Sequence, residues 1–327
     1  MTAVFRRLLP VTFRNVRRVT GAQLVTKRVY SLVCPIYQED VLLPSVWKHN
    51  KDDSILDQIP VPVPCWIQWL PTVDTRGREA IVDFLLLKSS IDVQYLSDVH
   101  IDTNDIPKII QHSNILALCG DIGNPNHKNF EKFFRSVSEQ FETVLFVPGN
   151  HDYDCGPLYE EAKVNINKPI MLDIINKFNN VILLDNSKCV LKNGTIVLGS
   201  TMWPSPILRH QSDYNDIKII VHTKKYLEDI AWIQNNLEYH KKDDVLVLTH
   251  VPPTQKLIET KYLSKGIFVT SWFVNHFDHI IGPPVVAWLS GHTHSVIQQK
   301  INGVICGVNA HGYSNKSGYA VTKIVSV

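Results

Sequence analysis

Five short apolar runs, each breaking off into a cluster of Asp, His or Asn, constrain this chain more than any other feature. Val93–Leu96 leads into Ser97-Asp98-Val99-His100, Ile115–Cys119 into Gly120-Asp121, and Thr143–Val147 into Pro148-Gly149-Asn150-His151-Asp152. Val245–Leu248 leads into Thr249-His250, and Val285–Leu289 into Gly291-His292-Thr293-His294. Such runs read as buried strands of a parallel sheet. Between the second and third lies His127–Phe141, with Phe130, Phe133, Phe134 and Val137 at helical spacing. Strands that alternate with helices imply βαβ units, and open α/β sheets place their ligands at the strand ends.

The rest of the body follows from similar signals. Residues 181–184 read as a strand, and Asp216–Tyr239 as a long helix with Ile230, Ile233 and Leu237 on one face. Cys189–Leu198 reads as a hairpin turning at Asn193-Gly194, and Ile297–Val308 as a second turning at Asn302-Gly303, because Asn-Gly supplies the positive φ of a tight hairpin turn. Tyr319–Val325 reads as a closing strand. Parallel units followed by hairpins predict two stacked sheets flanked by helices.

Composition separates a head from this body. Residues 1–38 carry seven Arg or Lys and no acid; the remaining 26 basic and 31 acidic groups leave residues 39–327 at −5. An acidic body argues against a broad nucleic-acid surface. The Arg-rich, acid-free head fits a mitochondrial transit peptide, or a basic arm that packs on a partner or on the body. Alternating prolines at Pro60, Pro62 and Pro64 favour an extended connector. Residues 1–64 are therefore an arm and connector, and residues 65–327 the main domain, with an apolar strand at Ile81–Leu87 of unassigned role. Six dispersed cysteines without a CxxC pair oppose a zinc ribbon or disulfide scaffold and suit a reducing, intracellular compartment. No apolar run is long enough to span a membrane.

The strand-end residues Asp98, His100, Asp121, Asn150, His250, His292 and His294 form a mixed oxygen and imidazole set suited to Mn, Fe, Zn or a similar ion. Asp-x-His in extended chain aims both side chains the same way, so Asp98 with His100, and His292 with His294, are expected to converge in pairs. Seven donors are too many for one tetrahedral zinc but suit two divalent ions sharing a bridging carboxylate. Singly, each motif is commonplace; a lone Asp-x-His is usually incidental and a Gly-Asp pair usually a turn. Five of them in sequence, each after a strand, are hard to obtain by chance.

Together, Asp98-x-His100, Gly120-Asp121, Gly149-Asn150-His151-Asp152, His250 and Gly291-His292-x-His294 resemble the motif set of the calcineurin-like metallophosphoesterase superfamily, over residues 91–327. The resemblance implies a four-layer α/β/β/α sandwich carrying an extra N-terminal segment. It also implies one ion held by Asp98, His100, Asp121 and His294, and a second by Asp121, Asn150, His250 and His292. Asp121 would bridge, a metal-bridging hydroxide would attack phosphorus, and His151 would serve the leaving group without binding metal. Ser200-Thr201-Met202-Trp203 and Asn309–Tyr313 are similar to a bacterial and phage-like branch of small metallophosphatases.

Two departures bear on substrate. Where the Ser/Thr protein phosphatases of this superfamily continue to an Asp-Arg pair, this chain reads Ile122-Gly123-Asn124-Pro125, and Pro148 stands where they place an Arg. Phosphate-clamping arginines are thus absent at those positions, and Arg209 is one candidate substitute. The departures count against a dedicated protein phosphatase, and the expected substrate is a phosphorylated small molecule or nucleotide, with a phosphoprotein meeting the same chemistry. His210, His222, His311 and Tyr313 are isolated candidates for the pocket wall. The competing reading is a catalytically idle binding or structural subunit that keeps the fold.

Overall fold

The computed structural model describes residues 90–205, 216–313 and 323–327. The basic arm, the proline connector, the Ile81–Leu87 strand, Arg209 and His210 lie outside the described residues.

Eleven strands form two sheets among the described residues. The first has the order β11-β1-β2-β3-β4, from β1 (Asp92–Leu96), β2 (Ile115–Cys119), β3 (Thr143–Val147), β4 (Val181–Leu183) and β11 (Ile324–Ser326). The strands β1 to β4 run parallel, and β11 closes the edge antiparallel to β1, with Asp92 opposite Ser326. The second sheet has the order β5-β6-β7-β8-β10-β9. Its strands are β5 (Ser187–Val190), β6 (Ile196–Ser200), β7 (Val245–Thr249), β8 (Val285–Ser290), β9 (Val296–Ile301) and β10 (Val304–Asn309). Both expected hairpins are present, β5–β6 and β9–β10. Asn302 and Gly303 turn the second at φ 48° and 91°.

The two-residue strand period sorts side chains into layers. On β2, Ile115, Ala117 and Cys119 face the second sheet, where they meet Leu246, Leu248, Ala287 and Leu289. Leu116 and Leu118 face the other way, onto Phe130, Phe133, Phe134 and Val137 of helix α1 (Lys128–Gln140). Helix α2 (Glu161–Ile175) packs in the same outer layer through Val164, Met171 and Ile175. Helix α3 (Ile217–Tyr239) covers the second sheet, with Ile230, Ile233 and Leu237 against Val245, Val247 and Trp288. The result is the expected α/β/β/α sandwich. The two sheets approach closely at Gly199, where a Cβ would collide with Leu184.

Of the expected closing strand, Ile324–Ser326 is a strand among the described residues, and residues 319–322 lie outside them. Helix α2 lacks a continuous apolar stripe, because the buried face includes Asn167 and the helix contains Pro169. Asn167 fills that place by hydrogen bonding, donating to the Tyr153 carbonyl at 3.0 Å and accepting from Asn126 at 2.8 Å. The four cysteines among the described residues are all free. No described helix is long and apolar enough to cross a membrane.

Candidate metal centre

The parallel strands deliver their polar ends to one region, but not in extended chain. Asp98, His100, Asp121, His292 and His294 all have positive φ, between 50° and 66°. They are five of the nine non-glycine residues with such backbone among those described. Left-handed backbone is costly for residues with a Cβ and persists only where the surroundings over-determine it. Here the loops brace one another: the amides of Asp98 and His100 donate to the carbonyls of Gly120 and Asp121 at 2.9 and 3.0 Å. The expectation that His292 and His294 converge is therefore wrong. The curled backbone sends them to different groups.

One group is Asp98, His100 and His294; the other is Asp121, His250 and His292. Within each, the donor atoms lie within 4.8 Å of one another. In the first, His100 Nε2 faces His294 Nε2 at 3.0 Å, and His294 Nε2 lies 3.4 Å from Asp98 Oδ1. In the second, His250 Nε2 faces His292 Nδ1 at 3.1 Å. Asp121 Oδ2 lies 3.3 Å from His250 Nε2 and 4.0 Å from His100 Nε2, so one oxygen faces both groups. Asn150 Oδ1 joins the second group, 3.1 Å from His250 Nε2, while its amide nitrogen donates to the Cys155 carbonyl.

Backbone carbonyls set the tautomers. His250 Nδ1 donates to Cys119 O at 2.9 Å and His292 Nε2 to Trp272 O at 3.1 Å. Each ring is left with its remaining nitrogen facing the group, the usual arrangement of a metal-binding histidine. Glycines make this closeness possible. A Cβ at Gly120 would strike the His250 ring, and one at Gly149 would strike Asp121.

Facing nitrogen lone pairs about 3 Å apart repel unless a cation lies between them. In the metal-free chain a proton takes that place. Burial depresses His250, yet the adjacent Asp121 outweighs it and raises the ring to about 9. Burial and the charge on His250 push His292 down to about 4. The first group shows the same division: His100 is lowered by burial, while the Asp98 contact overcomes burial to raise His294. Burial would raise both carboxylates, but His294 holds Asp98 below its ordinary value and His250 holds Asp121 well below its own. The donor set fits two divalent ions on this chemistry.

Asp152 does not face the centre. Its carboxylate accepts the amides of Asp121, Gly123 and Gly149 at 2.7–2.8 Å, tying two strand-end loops together. His151 lies beside the first group, its ring edge-on to His100 with centroids 5.2 Å apart. Its amide donates to Asp121 Oδ1 at 2.8 Å. Of the isolated candidates, Tyr313 reaches the centre, stacked on His100 with centroids 4.2 Å apart. His222 is a satisfied core residue: Nδ1 accepts the Tyr159 amide and Nε2 donates to Pro204 O. His311 is buried against the Gly312 carbonyl. The carbonyls of Cys119 and Trp272 carry no signal in sequence, since any residue supplies one. The Ser200–Trp203 segment also braces the site, with the Thr201 hydroxyl donating to Pro148 O at 2.8 Å.

The calcineurin-like phosphoesterase family profile matches residues 91–296. The chain belongs to this family. It is 31% identical over 252 residues to uncharacterized protein L509 of Acanthamoeba polyphaga mimivirus, covering 68% of this chain and 84% of that one. Its fold is also that of a phosphopantetheinyl hydrolase from Mycobacterium tuberculosis, with a TM-score of 0.53 at 14% identity, over 72% of this chain and 95% of that one.

Proposed function

We propose that this phosphoesterase-family chain is a two-metal hydrolase of a small phosphate mono- or diester, such as a phosphorylated metabolite or nucleotide. The observation that carries the reading is the pair of facing-nitrogen groups with Asp121 between them. Asp98, His100, Asp121 and His294 would hold one ion, and Asp121, Asn150, His250 and His292 the other. When bound, two such ions, manganese among the candidates, supply an acidified water and neutralise phosphoryl charge.

The chain's own residues do the rest. His151 would give a proton to the departing oxygen, as general acid catalysis; its ring edge-on to His100 supports that reading. Asp152 holds the loop that carries Asn150 and His151. Arg135, the one arginine among the described residues, is paired with Glu131 on α1. A catalytically idle subunit would tolerate the loss of ligands, and all seven are present here.

The deciding experiment is a screen of the purified chain with Mn(II) against phosphate monoesters and diesters. Asp121→Asn is expected to lower bound metal to one ion per chain or fewer and to cut turnover by about a hundredfold or more. An Asp121→Asn variant with full metal-dependent turnover would refute the bridging role. A wild-type protein that binds two ions yet hydrolyses nothing would favour the idle subunit.

A further inference from the structure

Tyr313 stands at the edge of the centre without being one of the expected ligands. The chain that carries it is tied down tightly. The amides of His311 and Gly312 donate to the carbonyls of Ser97 and Asp98 at 2.9 and 2.8 Å. Asn104 holds the Gly312 carbonyl at 3.1 Å, and Asn309 donates to the Tyr95 carbonyl at 2.8 Å. Residues 309–313 are thereby fastened to the same β1 loop that presents Asp98 and His100. The Tyr313 ring stacks on His100 and meets His294 edge-on at 4.8 Å. Its hydroxyl shares a 3.4 Å hydrogen bond with His151 Nε2. That hydroxyl is the sole hydrogen-bond partner of the His151 ring among the described residues. Almost half of Tyr313 is exposed, at 46%, so its ring reaches solvent as well as the first ligand group.

We infer that Tyr313 is the positioning residue for His151, holding the imidazole over the first ligand group. This rests on the hydrolase reading above and extends it to one further residue. A hydroxyl can both accept and donate. Before the step, the protonated ring shares its Nε2 proton between the Tyr313 oxygen and the leaving oxygen of the ester. As the phosphorus–oxygen bond breaks, the departing oxygen keeps the electron pair and takes that proton. His151 is left neutral, and the Tyr313 hydroxyl turns its own proton onto the vacated Nε2 lone pair. The ring keeps its place throughout. Phenylalanine would preserve the stack on His100 and lose both hydrogen bonds.

The test compares wild type with Tyr313→Phe on phenyl phosphate and 4-nitrophenyl phosphate, or on the corresponding diesters. Phenoxide needs a proton more than nitrophenoxide does. Tyr313→Phe is expected to lower kcat about tenfold for the phenyl ester and less than about threefold for the nitrophenyl ester, with KM and bound metal unchanged. A readout independent of turnover is the ring 15N spectrum of the metal-free, histidine-labelled protein. The His151 signals, identified by their absence in His151→Gln, should move in Tyr313→Phe while those of His250 and His292 stay. Equal losses on both esters, no loss on either, or unmoved His151 signals would overturn the inference. A wild type inert toward every ester would instead overturn the hydrolase reading and, with it, the proton-transfer role.

Discussion

Asn150 and Asp152 sit two residues apart and serve opposite ends of one loop. Asn150 turns its oxygen to the centre, whereas Asp152 turns into the protein and gathers three amides. Burial and the nearby Asp121 charge push Asp152 up to about 8, although its amide donors favour the ionised form. Removing this acceptor would strand three buried N–H groups. Asp152→Ala should therefore cost about 2–4 kcal/mol, read as a lower urea midpoint of the metal-free protein. His250 gives a second residue-scale prediction. Between its ordinary 6.5 and about 9, the folded chain holds a proton that the unfolded chain has released. Its contribution to stability is complete below pH 6.5 and is lost as pH rises toward 9. The loss should be at most about 3 kcal/mol. Urea midpoints of the metal-free protein should fall across that window, and less steeply in His250→Gln. A bound ion displaces the same proton, so Zn(II) affinity should rise over the same range.

The working elements of the centre are five loops rather than five strands. Each begins where a buried parallel strand ends, and most of the proposed ligands leave on left-handed backbone. Gly120 shows why the small residues in these loops are needed. Its φ is 83°, and a Cβ there would meet the His250 ring and the Gly149 backbone. Gly120→Ala is expected to cost about 2–4 kcal/mol and to lower metal content, because the loop can relax only by pushing His250 away. Retention of both ions with an unchanged urea midpoint would contradict that account. Legibility in sequence differs among elements for related reasons. The strands and the α1 stripe were readable because burial selects apolar side chains at fixed periods. The hairpins were readable because Asn-Gly carries its own turn geometry. Helix α2 was not, since Asn167 meets its burial by hydrogen bonding to Tyr153 and Asn126.

Across the whole molecule, the layer between the sheets sets the distance between the two halves of the centre. Asp98, Asp121 and Asn150 come from the first sheet, and His250, His292 and His294 from the second. Leu246 is fully buried between the sheets. Leu246→Ala should destabilise the protein by about 3 kcal/mol through the cavity it leaves. It should also lower metal affinity modestly, measured by competition with a chelator, because the two sheets carry complementary ligands. The sequence alone determined which residues are available: seven oxygen and nitrogen donors at strand ends, arranged in an order that one family shares. The family resemblance already divided them, with His294 in one group and His292 in the other. Tertiary structure decided what braces them: it curled the backbone at five of them, turned Asp152 inward, and set Tyr313 against His151. Those outcomes depend on backbone hand at single residues and on carbonyls from distant loops, and neither is written in the identity of any one side chain.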